Sequence, residues 1–497
     1  MYRSRPKGSL DKDILEFLSS MNDDLQLLQY DVLGSEAHVV MLNQIGILTM
    51  HEAKVLLEAL EEVRHNPEIL TDTDVEDIHE SIESHIVQKL GIEIGGKIQI
   101  ARSRNDQVIL DIRMKIRDEI NETSEQIIIL ITSLLERAKN YFETIMPMYT
   151  HLRQAQIGTF SHFLLSYAEA LLRDMGRLYD TYARVNQSPL GAGAVGGSSI
   201  KIDRQRTARL LGFDGLVRNS IDATTSRDTV LEFTAGLAIL METLSRMTED
   251  FIIWSTDEFE YLDISDSHGS SSSAMPHKKN PDPLELIRAK AAAVLGNFVA
   301  MITVVKGLPS GYSRDLQEIK NSLWQACDAT HQALRIMNYI VNSLIINERK
   351  MLQASSNSYA ISLDLAEILV TKNKVPFRLA HKIVGSLVRK AITDKKRPLN
   401  MLGEKEIRQV VKSFGWSLPI QDILRTIRQT TPQISINSRQ SFGSPNPKQQ
   451  PRMVKLLKRE MAYYVEEVTK RKRRNAQAMK DLNETVTALT VRHKENY

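Results

Sequence analysis

Cysteine is nearly absent: the 497 residues contain one, Cys327. That excludes an intramolecular disulfide and any multi-cysteine zinc site, and it fits a reducing, cytoplasmic setting. An excess of either charge is also missing. Lys and Arg total 64 against 61 Asp and Glu, and the formal net charge of +3 is too small to imply nucleic acid as a main partner. The densest apolar stretch, Ile127 to Leu135, is short and contains Thr132 and Ser133. A membrane span needs about 20 apolar residues, so no membrane association is expected. Met1 to Lys7 lead into Asp and Lys with no apolar core, so no secretory leader is expected. Hydrophobic residues at 42% and charged residues at 25% are ordinary for a globular protein, and the length suggests two or three domains.

Proline and glycine are missing over long intervals. Neither occurs from Lys97 to Met146 or from Tyr312 to Val375, and between Asp228 and Ser265 the only one is Gly236. Inside a helix Pro costs about 3 kcal/mol and Gly about 1 kcal/mol, so these intervals suit long helices. Leu237, Ile239, Leu240, Met241, Leu244, Met247, Phe251, Ile252 and Trp254 are apolar on more than one side, which predicts a helix buried all round. No strand-like alternation competes. The expected fold is all-α, a bundle of very long helices at the centre, with an oligomer as one way to cover the second face. Glycine and proline gather in Ser188–Gly197, His268–Pro283 and Lys306–Gly311, which read as loops, and Gln440 to Pro451 reads as a linker. There is no internal repeat.

The loop Ser270-Ser271-Ser272-Ser273-Ala274-Met275-Pro276-His277-Lys278-Lys279-Asn280-Pro281 joins a flexible hydroxyl run to a cationic end. It offers groups for proton transfer and a lysine for a carboxylate; it reads equally as a serine linker with a solvated basic end. Gly191-Ala192-Gly193-Ala194-Val195-Gly196 is a literal G-x-G-x-x-G, yet Ser188-Pro189-Leu190 precedes it among helices, not a βαβ unit, so dinucleotide binding is discounted. Asp72, Asp74 and Glu76 suggest calcium, but Asp77 stands where the EF-hand pattern needs Gly, and no metal site is expected. Lys470-Arg471-Lys472-Arg473-Arg474 reads as a solvated helix face.

Ser272 to Pro281 resembles the S-S-x-M-P-x-K-x-N-P loop of the fumarase/aspartase/argininosuccinate lyase superfamily and meets every fixed position of it. Within that superfamily, Ser103-Arg104-Asn105-Asp106-Gln107-Val108 resembles the S-R-N-D-Q-V segment of argininosuccinate lyases, and Tyr149-Thr150-His151-Leu152 their Y-T-H-L. Tyr312 to Lys320 resembles Y-x-x-D-L-Q-E-x-K, Glu76-Asp77-Ile78-His79 resembles E-D-I-H, and Ser188 to Ala194 resembles S-P-L-G-x-G-A. Counting back from the landmark Asp31 to Ser35 places Ser20 at a substrate-binding serine. The resemblance runs from about residue 15 to 440. It departs at Arg153, Ser271 and Gln99-Ile100-Ala101, and the Ala-Met-Pro-His-Lys wording of the loop leans toward adenylosuccinate lyase, the alternative within the superfamily.

The resemblance implies an elimination that releases fumarate, with arginine as the other product. It implies Ser272 and His151 as the candidates for base and acid, with Glu285 supporting the histidine and Lys278 stabilising developing charge. Ser20, Arg104, Asn105, Thr150, Asn280, Tyr312, Gln317 and Lys320 would bind the small-molecule substrate; no cofactor is implied. It also implies a homotetramer whose long helices form a shared central bundle, with active sites built from several chains. The expected division is an N-terminal helical domain over 1–103, the long-helix bundle with its loop over 104–360, a small helical domain over 361–440, and a linker with a charged extension over 441–497.

Overall fold

The structure, a computed structural model, describes residues 11–70, 75–394, 397–416 and 419–491. The readings of the first residues and of Asp72 and Asp74 lie outside them. Helices α1 (Leu28–Gln44), α2 (Met50–His65) and α3 (Ile78–Leu90) precede α4 (Arg104–Lys139). A hairpin of β1 (Ile145–Thr150) and β2 (Arg153–Thr159) leads into α5 (Phe160–Val185), and α6 (Asp228–Ser255) follows. The two-residue strands β3 (Ser270–Ser271) and β4 (Lys279–Asn280) pair antiparallel ahead of α7 (Asp282–Val305). After α8 (Ile319–Ser343) and α9 (Glu348–Ser356) come α10 (Ser362–Asn373), α11 (Phe377–Thr393), α12 (Glu404–Ser413), α13 (Ile420–Gln429) and α14 (Pro432–Ser438). The last element is α15 (Gln450–Val491).

The fold is the all-α long-helix bundle that the proline and glycine gaps predict. Helix α4 has 36 residues and so runs about 54 Å. Three large apolar clusters organise the chain. The central one joins α4, α5, α6 and α8 through residues such as Ile127, Leu171, Phe233 and Leu334; a second joins α1, α2, α3 and the first half of α4; a third lies within α10–α13.

Several expectations are corrected. The interval Tyr312–Val375 is three helices. Its breaks are made by Asn347, which caps α9 by accepting the Lys350 N–H at 3.2 Å, and by Asn357 at the other end, so no Gly or Pro is needed. Helix α4 begins at Arg104, capped by Ser103 in a capping box with Asp106. The β1–β2 hairpin was invisible as alternation.

Helix α6 is not buried all round in the single chain: Ile239 is 43% exposed. Beside it, α7 exposes Leu286, Leu295, Val299 and Ile302, and this helix, not Ile127–Leu135, carries the chain's long apolar run. Among the described residues it alone has the length and hydropathy that a membrane span would need.

The basic run near the C-terminus is a solvated face in part: Lys470, Lys472 and Arg473 are exposed, whereas Arg471 and Arg474 are half-buried against the bundle. Helix α15 buries Val454, Leu457, Val468, Ala478, Leu482 and Val486, a stripe at helical spacing that surrounding charge conceals in the sequence. Arg471 lies over the rings of Tyr179 and Tyr182 at 4.4 and 4.1 Å. Arg474 pairs with Asp214, Lys472 with Glu125 and Lys470 with Glu466 and Glu467, so the run is largely spent on the protein itself.

Candidate active site

The first group of predicted residues converges at the N-terminus of α4, from segments far apart in the chain. Arg104, the first residue of the helix, binds Asp77 at 2.7 Å and Glu76 at 3.2 Å; Arg314 binds the same Glu76 at 2.6 Å. Ser20 donates to Asp24 at 2.6 Å, and the fully buried Lys320 pairs with the other oxygen of that carboxylate. Gln317 donates its amide N–H to the Tyr312 hydroxyl at 2.5 Å. Glu76, Gln99, Arg102, Arg104 and Asn105 line a cleft of about 380 Å³ here. The positive end of the helix dipole favours an anion at such a position.

The glycine-rich loop explains why the helix end stays in place. Backbone N–H groups of Gly191 and Gly193 both donate to the Asp106 carboxylate at 2.9 Å, and Ser103 N–H donates at 2.8 Å. Asn105 donates to the Ala194 carbonyl at 3.1 Å. Both glycines have positive φ, and a Cβ on Gly191 would come within 2.7 Å of Arg204 and Ile202. The G-x-G-x-x-G pattern is thus a carboxylate clamp on α4: the two-residue strands Gln187–Ser188 and Gly215–Leu216 pair in parallel around it with the short helix Arg204–Leu210 between them, but its glycine N–H groups are spent on Asp106. Burial pushes the Asp106 carboxyl up to about 6 against the pull of those donors.

Charge is dense around the cleft. Burial alone would lower the Arg104 guanidinium, but Asp77 and Glu76 outweigh it and hold it more firmly protonated than usual. Burial raises the Tyr312 hydroxyl while Arg104 and Arg227 pull it down. Arg227 was missed in the sequence. It is 1% exposed, its Nε and Nη2 have no hydrogen-bond partner, and burial pushes it down to about 10. An arginine with free donors facing Tyr312 is a natural anion holder, and nothing in its local sequence marks it. Asp24, missed too, was accessible: it lies four residues after Ser20, on the same side of a helical turn. Glu76, which with Asp72 and Asp74 suggests calcium in the sequence, binds arginines here, as does Asp77.

Beneath the cleft lies a buried ionic group. His79 Nδ1 meets Asp31 at 2.5 Å and Asp111 at 3.7 Å, and Ser35 donates to Asp31 at 3.1 Å. Burial alone would depress His79, yet Asp31, Asp77 and Asp111 outweigh it and hold it at about 9. Burial and the neighbouring Asp31 drive the Asp111 carboxyl well above the usual range, whereas His79 and Arg102 overcome burial to lower Asp31.

Two further groups stand apart. Thr150 and His151 sit at the tip of the β1–β2 hairpin, where Thr150 pairs with Arg153. His151 and Leu152 both have φ of 54°, as a two-residue turn of this kind requires, although Asn-Gly is the usual choice there. Both are exposed. A strained, exposed histidine turn is a common feature of functional sites.

The Ser272 loop is the third group, closed at its base by β3 and β4. The Ser272 hydroxyl accepts the N–H of Met275 at 3.1 Å and of Ala274 at 3.4 Å, and Ser272 N–H donates to the Lys278 carbonyl at 3.3 Å. Lys279 is held by Asp263 at 2.8 Å and Asp266 at 3.0 Å, while Lys278 is exposed, Asn280 half-buried and Glu285 exposed on the first turn of α7. Within one chain, no hydrogen bond or ion pair among the described residues joins Ser272, Lys278 or Glu285 to His151.

This arrangement can be set against known proteins. Residues 8–296 match the family described as Lyase, and residues 359–427 match Argininosuccinate lyase C-terminal. Argininosuccinate lyase of Nitrosopumilus maritimus is 45% identical over 486 residues, covering 98% of this chain and 99% of its own. That of Methanocaldococcus jannaschii is 36% identical over 468 residues, covering 94% and 95%. The solved structure of EDDS lyase in complex with formate superposes with a TM-score of 0.89 at 28% identity, covering 99% of this chain and 98% of that one. Matches that run almost end to end, through both the bundle and the C-terminal helices, establish that the chain belongs to the argininosuccinate lyase family of the fumarase/aspartase superfamily.

Proposed function

We propose that the protein cleaves argininosuccinate to arginine and fumarate. The observation that carries this reading is the cleft at the α4 N-terminus. Arg104 lines it, and around it Ser20, Tyr312, Gln317 and Lys320, drawn from two other distant segments, add cationic and hydroxyl groups suited to a polycarboxylate substrate. Removing the proton next to a carboxylate is difficult because negative charge accumulates there. Lys278 and Asn280 would stabilise that charge, as fixed donors in a closed site do. Ser272 and His151 would act as base and acid; the Met275 N–H directed at the Ser272 oxygen favours its negatively charged form. Thr150 and Asn105 would complete the carboxylate contacts, and Glu285 would orient His151.

The three groups need to be brought together by other copies of the chain. We propose a homotetramer in which α6 and α7 pack against partner helices, so that each site draws residues from more than one subunit. The exposed Leu286, Leu295, Val299 and Ile302 support it, being an apolar face larger than a lone soluble helix normally shows. Arg288 and Lys290 within α7 favour protein over lipid as its cover. The buried single Cys327 suits a cytoplasmic location. Leu295→Glu is expected to yield monomers or dimers by light scattering and to lose most activity; a fully active tetramer would overturn the assembly.

Fumarate absorbance tests the reaction, with argininosuccinate, adenylosuccinate, malate and aspartate supplied separately. Fumarate from argininosuccinate alone is the expected result. Fumarate from adenylosuccinate would move the leaving group, and none from any of the four would end the enzyme reading.

A further inference from the structure

A second cavity, of about 440 Å³, lies at the root of the β1–β2 hairpin. That volume is within the range of about 300–1,000 Å³ typical of small-molecule sites. Three parts of the chain wall it: the residues entering β1, helix α9, and the C-terminal helices through Pro398–Asn400 and Thr430–Gln433. The charged groups among its described lining residues are both carboxylates, Glu143 and Glu348. Buried Thr144 donates its hydroxyl to Glu348 and so fixes that carboxylate from behind.

A second observation points to a ligand. Ser355 also lines the cavity; it is 1% exposed and its hydroxyl has no hydrogen-bond partner. Interior polar groups are nearly always paired, and a bound molecule completes such a hydroxyl. Ser355 and Ser356 form the last turn of α9, whose terminal carbonyls add partial negative charge. Ile145, Leu352, Ile361 and Leu399 supply aliphatic surface in the same lining. A bare metal ion would gather oxygen ligands at about 2.0–2.6 Å and leave most of this volume unfilled. Carboxylates with an aliphatic wall fit instead a cationic head on a methylene chain.

We propose that this cavity binds a small organic cation, an alkylammonium or alkylguanidinium of the free basic amino acid class. The bound cation ties the C-terminal helices to the root of the hairpin that carries His151 at its tip. Arginine, the amine product of the reaction proposed above, belongs to this class. The binding itself does not rest on that reaction, because it is read without turnover.

The test is calorimetric titration of the full chain with agmatine, a guanidinium on an aliphatic amine with no carboxylate. Four proteins are compared: the unaltered chain, Glu348→Gln, Ser356→Lys and Lys278→Ala. Ser356 is exposed on the lip, so a lysine there places an ammonium at the cavity without disturbing the core. The expected result is equal binding to the unaltered chain and Lys278→Ala, at least tenfold weaker binding to Glu348→Gln, and none to Ser356→Lys. Agmatine should also raise the melting temperature of the unaltered chain but not that of Ser356→Lys. No binding to the unaltered chain, or equal binding to all four, overturns the proposal. Loss in Lys278→Ala with retention in Ser356→Lys does so too, placing the ligand in the catalytic cleft. Calcium chloride reproducing the variant pattern more tightly than agmatine overturns it in favour of a metal.

Discussion

Ser272→Ala is expected to lower kcat for fumarate release by about 10²–10⁴-fold, the range for losing a positioned proton-transfer group. Its effect on folding should be small. The hydroxyl only accepts two backbone N–H groups in a loop that is mostly solvent-exposed, and the loop is held independently by the β3–β4 pairing and by Lys279 on Asp263 and Asp266. Deleting it leaves Ala274 and Met275 N–H free to bind water, so no buried group is orphaned. Steady-state kinetics by fumarate absorbance, beside a thermal melt, separates the possibilities. A fall in kcat with an unchanged melt fits the assignment. A raised KM with kcat retained would make Ser272 a binding residue only, and a variant within threefold of the parent would remove it from the chemistry.

How much of this was legible follows from where each signal lies. The long helices could be read because Pro and Gly are costly within them, and α4, α6 and α8 occupy the predicted gaps. Ser20, Arg104, Tyr312, Gln317 and Lys320 could be named from motif spacing, and the fold brings them together. Their acidic counterparts were harder, since Asp24, Glu76 and Asp77 matter through partners nearly 300 residues away in the case of Lys320 and Asp24. The hairpin was hidden because its turn places His151 and Leu152 at positive φ, where sequence logic looks for Asn-Gly. The packing of α15 was hidden because its buried apolar residues are sparse among many charges, with wide gaps from Leu457 to Val468 and from Val468 to Ala478. The exposure of α7 shows the same limit from the other side: an apolar helix announces that it will be covered, but not by what.

The His79 group carries the second large expectation. His79→Asn should destabilise the chain at pH 6.5 by about 3–5 kcal/mol, as removal of one partner from a buried ionic group does, because Asp31 loses its hydrogen-bonded cation and keeps only the more distant field of Arg102. The pH dependence then gives the decisive reading. The imidazole is held at about 9, above its ordinary 6.5. Its contribution is therefore complete below about pH 6.5 and is lost as pH rises through 9, a span worth about 3 kcal/mol at most. Asp31, held below its ordinary value, acts in the opposite window: its contribution is present above the ordinary carboxylate range and is lost as pH falls through its folded value. Urea unfolding at pH 6.5, 8 and 9.5 should show the parent protein losing stability across that interval and His79→Asn losing much less. Parallel slopes for the two would mean that the imidazole is neutral in the fold and that the group is held by hydrogen bonding alone. Asp77 shares the field of His79 and holds Arg104; loss of the imidazolium charge leaves that carboxylate charged with Arg104 as its cation, so the arginine at the head of α4 should stay in place over the same rise in pH. Substrate affinity in the parent should then hold while stability falls, and a joint loss of the two would instead mean that the His79 group positions the cleft as well as filling the core.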